Sequence, residues 1–287
     1  MSFLKKFRVK PGERKKLGKI DPNFTGKYVE DRGAYSKLEE NGKELTALQD
    51  RLYAENKQSL LIVLQGLDTA GKDGTINHAL GALNPQGTKV YGFKAPSEEE
   101  AAHDFLWRAH SRAPARGEIA IFNRSYYEDV LVIRVHKIVP KEVIAQRYEL
   151  INDFEKNLRA NGTRILKFYL HISQDEQLRR FKKRLDDSTK NWKISESDYA
   201  ERKFWPQYED AYESTFKRTS TKDAPWFIIP SNNKWFRDLA VSKIVIDAME
   251  DMKMKIPKPK VDLDKIRRKY HSEEVAEKRL LKPKQEE

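Results

Sequence analysis

The densest chemistry in the chain lies in ten residues, Gly66-Leu67-Asp68-Thr69-Ala70-Gly71-Lys72-Asp73-Gly74-Thr75. They hold the spacing G-x-x-x-x-G-K. Such a stretch cradles phosphate when a strand precedes it and a helix follows: backbone N–H groups converge on the anion and the lysine adds a point charge. Thr69, Ala70, Gly71, Lys72, Asp73 and Gly74 are the residues expected to face phosphate. The Ser or Thr that usually follows the lysine and binds Mg²⁺ is Asp73 here. Asp68 offers a carboxylate from within the loop, and carboxylate oxygens suit Mg²⁺.

Two further stretches belong with this loop. In Phe122-Asn123-Arg124-Ser125-Tyr126-Tyr127-Glu128-Asp129, Asn123 stands at a strand end. Phosphate-loop enzymes place an acidic residue there to hold the Mg²⁺ shell. Arg124 can clamp a transferring phosphoryl group. Glu128 either restores the missing charge or serves as a first-turn helix acid, and the helix reading is favoured for Asp129. Between Arg179 and Lys193 there are seven Lys/Arg and two Asp. A charge run is commonly a solvated helix face. After a strand of a phosphate-loop sheet it reads as a lid that closes over phosphates and excludes water, with Arg184 and Lys193 reaching in. Arg108, His110, Arg112 and Arg116 form a looser basic series. His110 reads as a surface histidine, and Phe105, Leu106 and Trp107 as core.

Alternating elements must position these groups. Helices are expected over 34–57, 75–83, 97–111, 125–136, 140–160, 174–185, 198–217 and 235–252. Strands are expected over 59–65, 88–93, 118–122, 164–172 and 226–229. Ser97-x-x-Glu100 is a capping box, and Ser173-x-x-Glu176 caps the helix after 164–172. Strands alternating with helices give a parallel sheet covered on both faces, a three-layer α/β/α domain of about five strands.

Composition sets the outer limits. The 287 residues carry a formal net charge of +12, a charged fraction of 35% and no cysteine; the mean hydropathy is −0.81. Thirteen Phe, twelve Tyr and five Trp still supply a core. Zero cysteine excludes a disulfide scaffold, a thiolate metal site and a cysteine nucleophile, and fits a cytoplasmic protein. No apolar run approaches the roughly 18 residues of a membrane span, and residues 1–10 lack the apolar region of a signal peptide. The charge is uneven. Residues 1–20 carry a net +7 and residues 256–287 a net +3, leaving +2 for 21–255. Both ends read as extended or solvated arms around a kinase-type domain over 21–255, with its lid at about 179–205. A polyanionic partner is expected.

GLDTAGKDG, FNRSYYEDVLVIRV, RLDDSTKNWK and DAPWFIIP occur in that order. Together they resemble the polyphosphate kinase 2 family, over nearly the whole chain to about residue 255. The resemblance implies a thymidylate-kinase-like phosphate-loop fold with a helical lid. It implies transfer of the terminal phosphoryl group of inorganic polyphosphate to a nucleotide, or the reverse, with Mg²⁺ (Mn²⁺ in its place being possible). Asp68, Lys72, Arg124 and Arg184 map onto the family's catalytic positions. Asp68, Asn123 and Glu128 map onto the metal shell. Most of the family has Asp where Asn123 stands. Asn there, with Glu128 five residues on, resembles the subgroup called class III, which phosphorylates both AMP and ADP. A homodimer or homotetramer is implied as well. A groove for the polymer is expected along Lys94, Arg108 and Arg112. The competing enzyme readings are a polyphosphate phosphotransferase restricted to AMP or to ADP and GDP, and an ATP-dependent nucleoside monophosphate kinase. A nucleic-acid-binding module is the alternative of another class, but no motif for it is present, and neither a nucleic acid nor a membrane is expected as a partner.

Overall fold

The strand Ser59–Gln65 (β1) is buried along its whole length, and its side chains alternate between two cores. Leu60, Ile62 and Leu64 point into one cluster, Leu61 and Val63 into the other. This is the period-2 pattern of a strand with both faces covered, the reason β1 reads as an unbroken apolar run. Each such side chain contributes about 1.5–3 kcal/mol on burial. The other strands are β2 (Thr88–Gly92), β3 (Ile119–Asn123), β4 (Thr163–His171) and β5 (Trp226–Pro230). All pair parallel, in the order β2-β3-β1-β4-β5.

The computed structural model describes residues 2–30 and 32–280. Its α-helices are α1 (Phe3–Lys6), α2 (Arg32–Glu55), α3 (Lys72–Ala79), α4 (Glu98–Ala102), α5 (Trp107–His110), α6 (Glu128–Val135), α7 (Lys141–Ala160), α8 (Gln174–Leu185), α9 (Glu196–Glu201), α10 (Trp205–Thr219), α11 (Lys234–Asp251) and α12 (Leu263–Leu280). α2, α3 and α11 supply the core on one face of the sheet; α6, α7 and α10 supply it on the other. The three-layer α/β/α architecture is therefore present.

Several expectations need correction. The helix expected over 97–111 is two short ones. The Ser97 capping box forms, but the Asp104 carboxylate accepts from the Leu106 amide at 2.9 Å and starts a new turn. The helix expected over 198–217 is divided at residues 202–204 into α9 and α10. The helix after the phosphate loop starts at Lys72, three residues earlier than expected.

The basic N-terminal arm is not solvated. Phe7, Val9 and Leu17 are buried. The Val9 amide donates to the Trp226 carbonyl at 2.9 Å, and the Ile228 amide to the Phe7 carbonyl at 3.0 Å, so residues 7–9 run antiparallel along β5. The charges of this segment turn outward onto acids: Lys16 meets Glu213 at 3.0 Å, and Arg14 meets both Glu213 and Asp210. Residues 2–255 form one unit and residues from 256 onward a second. In the second, 256–262 precede α12, as the Pro257 and Pro259 positions require, and the described side chains up to Glu273 are exposed. That segment is helical rather than extended; residues 281–287 of the expected arm lie outside the described residues.

Candidate active site

The phosphate loop follows β1 at the carboxyl end of the parallel sheet, where open α/β sheets place their ligands. The Arg124 amide donates to the Leu64 carbonyl at 3.0 Å, which pins the turn after β3 beside the loop. Arg124 and Thr69 both adopt left-handed backbone, with φ of +61° and +63°. This conformation is uncommon outside glycine and gathers at functional sites. Gly71 has φ of +107°, and a Cβ there would lie 1.9 Å from Nη1 of Arg237. Only glycine satisfies both the backbone and the neighbour.

Arg124 organises the acids. Its Nη2 donates to Asp68 Oδ1 at 2.9 Å, and its Nη1 lies 3.8 Å from Glu128 Oε2. Asn123 Nδ2 donates to Asp73 Oδ1 at 2.7 Å. Burial raises the Glu128 carboxyl above its ordinary pKa, against the pull of Arg124 and Lys72. Lys72 Nζ donates to the Gly66 carbonyl at 2.8 Å and reaches that of Leu67 at 3.4 Å. Burial first, and the Arg124 cation second, lower its pKa from 10.5 to about 8. A pocket opens beside the loop. Asp68, Arg124 and Glu128 form its polar side; Leu131, Val132, Trp205, Tyr208 and Tyr212 form an apolar and aromatic wall.

The structure thus brings Asp68, Lys72, Asp73, Asn123, Arg124 and Glu128 together. It does not bring Arg184 and Lys193 to them. Arg184 Nη1 donates to the Lys193 carbonyl at 2.8 Å and lies 3.9 Å from Asp198. Lys193 sits over the Trp192 ring. The basic run of α8 is not one lid surface either. Arg179 pairs with Glu176, Lys182 pairs with Asp186, and Arg180 is buried beneath the phosphate loop.

Of the groove expected along Lys94, Arg108 and Arg112, the Lys94 side chain is exposed, but the two arginines are corrected. Arg108 is buried and lies 3.5 Å from both Glu100 and Asp129, while its Nη1 donates to the Lys94 carbonyl. Arg112 pairs with Glu100 at 2.6 Å, and both guanidiniums lie over the Phe93 ring. These cations are neutralised locally. Asp129 stands in the first turn of α6 as expected, but it is paired with Arg108 and Arg147 rather than solvated.

Sequence reasoning missed Gln177, Arg180, Lys234 and Arg237. Gln177 Nε2 donates to the Asp68 carbonyl at 3.0 Å. Arg237 is 1% exposed, bidentate to Asp238, and lies against Gly71 and Gly74. Burial, then the neighbouring Arg180, Arg237 and Lys183 cations, lower the pKa of Lys234. One signal was available: Arg237-Asp238 interrupts an otherwise apolar stretch, Trp235-Phe236 before it and Leu239-Ala240-Val241 after it. A charged pair placed so must go inward with it.

The donors around the loop are hard oxygens of Asp68, Glu128 and Asp73, with the Asn123 amide. Among the described residues there is no group of three or more His, Cys, Asp or Glu that could hold an ion alone. This set fits Mg²⁺, which takes one or two carboxylates and completes its shell with water and substrate phosphate. It does not fit an all-protein metal cage.

A parallel sheet with both faces covered and a phosphate loop after its central strand define an α/β phosphate-binding enzyme of the kinase type. The chain belongs to the polyphosphate kinase 2 family, whose sequence model matches residues 28–257. It is a kinase of that family, and the resemblance carried by the four motifs holds. An AMP/ADP-polyphosphate phosphotransferase of Meiothermus ruber is 44% identical over 264 residues, which cover 92% of this chain and 99% of that protein. An ADP-polyphosphate phosphotransferase of Rhodopseudomonas palustris is 44% identical over 266 residues, covering 88% and 92%. The crystal structure of polyphosphate kinase 2 from Arthrobacter aurescens TC1 superposes with a TM-score of 0.91 at 41% identity, covering 95% of this chain and 97% of that one. No helix among the described residues is long and apolar enough to cross a membrane.

Proposed function

We propose that this protein moves the terminal phosphoryl group of inorganic polyphosphate to AMP and ADP, forming ADP and ATP. The observation that carries the reading is a pocket lined by Asp68, Arg124 and Glu128 directly beside the phosphate loop and its Lys72. The aromatic wall suits a nucleotide, whose base has apolar faces and whose phosphates need the loop. The acceptor is itself a phosphate oxygen, already anionic at neutral pH, so no general base is required; the pocket wall carries no histidine.

In the transfer, the acceptor oxygen bonds to the terminal phosphorus while the bridging P–O bond of the polymer breaks, leaving a chain one unit shorter. Positioning and charge neutralisation dominate such a step. The loop amides and Lys72 hold the phosphates. Arg124, freed from Asp68, stabilises the equatorial oxygens. Asp68 and Glu128, with Asn123 through water, would hold Mg²⁺ or Mn²⁺, which when bound neutralises phosphate charge. The polymer runs over exposed cations, Lys94 and the neighbouring pair Lys183 and Lys234, rather than over the paired Arg108 and Arg112.

Incubation with polyphosphate, Mg²⁺ and AMP or ADP, without ATP, tests this. ADP and then ATP are expected from AMP. ATP from ADP with no product from AMP would restrict the activity to ADP. No product from either would overturn the reading.

A further inference from the structure

Arg180 comes from the charge run of α8, yet it is buried, and its hydrogen bonds go to places remote in sequence. Nη1 donates to the carbonyls of Thr69 at 2.8 Å and Ala70 at 3.0 Å. Nη2 donates to the carbonyls of Ser231 at 2.5 Å and Asn232 at 3.1 Å. Nε donates to Glu176 Oε1 at 2.6 Å, which fixes the plane of the fork. One guanidinium thus ties two consecutive carbonyls of the phosphate loop to the loop between β5 and α11.

The consequence is stereochemical. All peptide bonds among the described residues are trans. In a planar trans peptide the C=O and the following N–H point opposite ways. Holding the Ala70 carbonyl from one side therefore sends the Gly71 N–H to the other, beside the first amides of α3. Holding the Thr69 carbonyl does the same for the Ala70 N–H, which closes a turn onto the Leu67 carbonyl at 3.0 Å. Arg237 fills the space beside Gly71 and Gly74 and denies the loop an alternative path.

We propose that Arg180 is a positioning residue: it aims the Gly71 amide of the phosphate loop from behind, without touching substrate. A lysine keeps the buried charge but cannot reproduce the planar fork that spans four carbonyls. The proposal deepens the functional reading above and rests on it.

The test uses the full-length protein labelled with ¹⁵N-glycine, with tripolyphosphate as the probe. In the parent, the Gly71 amide resonance moves on titration. In Arg180→Lys the Gly71 response is lost and the tripolyphosphate Kd rises about tenfold or more, since preorganised donors count for about that much or beyond when misaligned. The unfolding midpoint of the variant serves as the control for a merely structural effect. A folded Arg180→Lys protein with an unchanged Gly71 response and a Kd within about twofold of the parent overturns the proposal. Should Arg180→Lys not fold, Glu176→Gln releases the Nε anchor and is expected to weaken both signals; unchanged signals there overturn it equally. A parent whose Gly71 is indifferent to tripolyphosphate sinks the phosphate-loop reading, and the proposal with it, before any variant is made.

Discussion

Lys72 and Lys167 both take their ammonium groups out of water, but the fold completes only one of them. Lys167 Nζ meets Glu155 Oε2 and the Thr219 carbonyl at 2.7 Å each and the Tyr127 hydroxyl at 3.0 Å, under the faces of Tyr127 and Trp226. Glu155 Oε1 in turn accepts from the hydroxyls of Tyr126 and Tyr127 at 2.9 and 2.8 Å. Lys72 has two carbonyls as hydrogen-bond acceptors, with Arg124 and the carboxylates of Asp68, Glu128 and Asp73 near it. Burial lowers both pKa values. Glu155 opposes the shift at Lys167 through a direct hydrogen bond; at Lys72 Arg124 deepens the shift, and Asp68, Glu128 and Asp73 oppose it only through space. A buried charge supplied with a carboxylate and hydroxyls is architecture. A buried ammonium that hydrogen-bonds only to carbonyls, with a like charge and unbonded carboxylates nearby, keeps room for a further anion.

The comparison can be broken in several places. The largest effect is expected from Lys167→Met, which strands Glu155 and costs about 3–5 kcal/mol of stability. Lys167→Met with Glu155→Gln should recover much of that, because no charge stays unpaired. Urea unfolding measures both, and a single variant as stable as the parent would contradict the structural role. Next is Lys72→Met. Turnover at saturating polyphosphate should fall about 10²–10³-fold, while stability holds or improves; kinetics and unfolding on the same sample separate the two.

Gly71→Ala is expected to cost about 1–3 kcal/mol for the left-handed backbone alone. Arg237 must also move, so tripolyphosphate binding should weaken with stability. A variant with parental melting and binding would show that the loop tolerates the change. The smallest effect is the pH dependence. Free Lys72 is neutral above about pH 8, so kcat/KM for polyphosphate should decline on that side, with the limb abolished in Lys72→Arg. Stability moves oppositely. The unfolded chain binds the extra proton between about 8 and 10.5, so this lysine's contribution to folding rises through that window. An activity limb without the opposing stability change would reassign the titration to another group.

Much of the fold was legible because β1 and its neighbours are apolar runs bounded by glycine, and the phosphate loop is continuous in sequence. Asp68, Lys72, Arg124 and Glu128 could be found for that reason: each lies within a few residues of a strand end. What escaped is long-range pairing. Arg180 and Arg184 look alike in a basic run, yet one sits among carbonyls of two loops and the other among residues just after its own helix. Arg108 and Arg112 looked free because Glu100 and Asp129, which neutralise them, are 8 to 21 positions away. The eight cations of residues 1–20 hid an alternation: Phe7 and Val9 face inward, two residues apart, while Arg8 between them faces out.

That short antiparallel pairing has a consequence for how the protein keeps company. The outer side of a sheet is a row of open donors and acceptors that invites another chain's strand. On β5, residues 7–9 occupy those groups. Clipping the chain after residue 20 would uncover β5 as a template and strip the buried Phe7, Val9 and Leu17 from the core. The symptoms of such a cut would be self-association and loss of solubility together with lost stability.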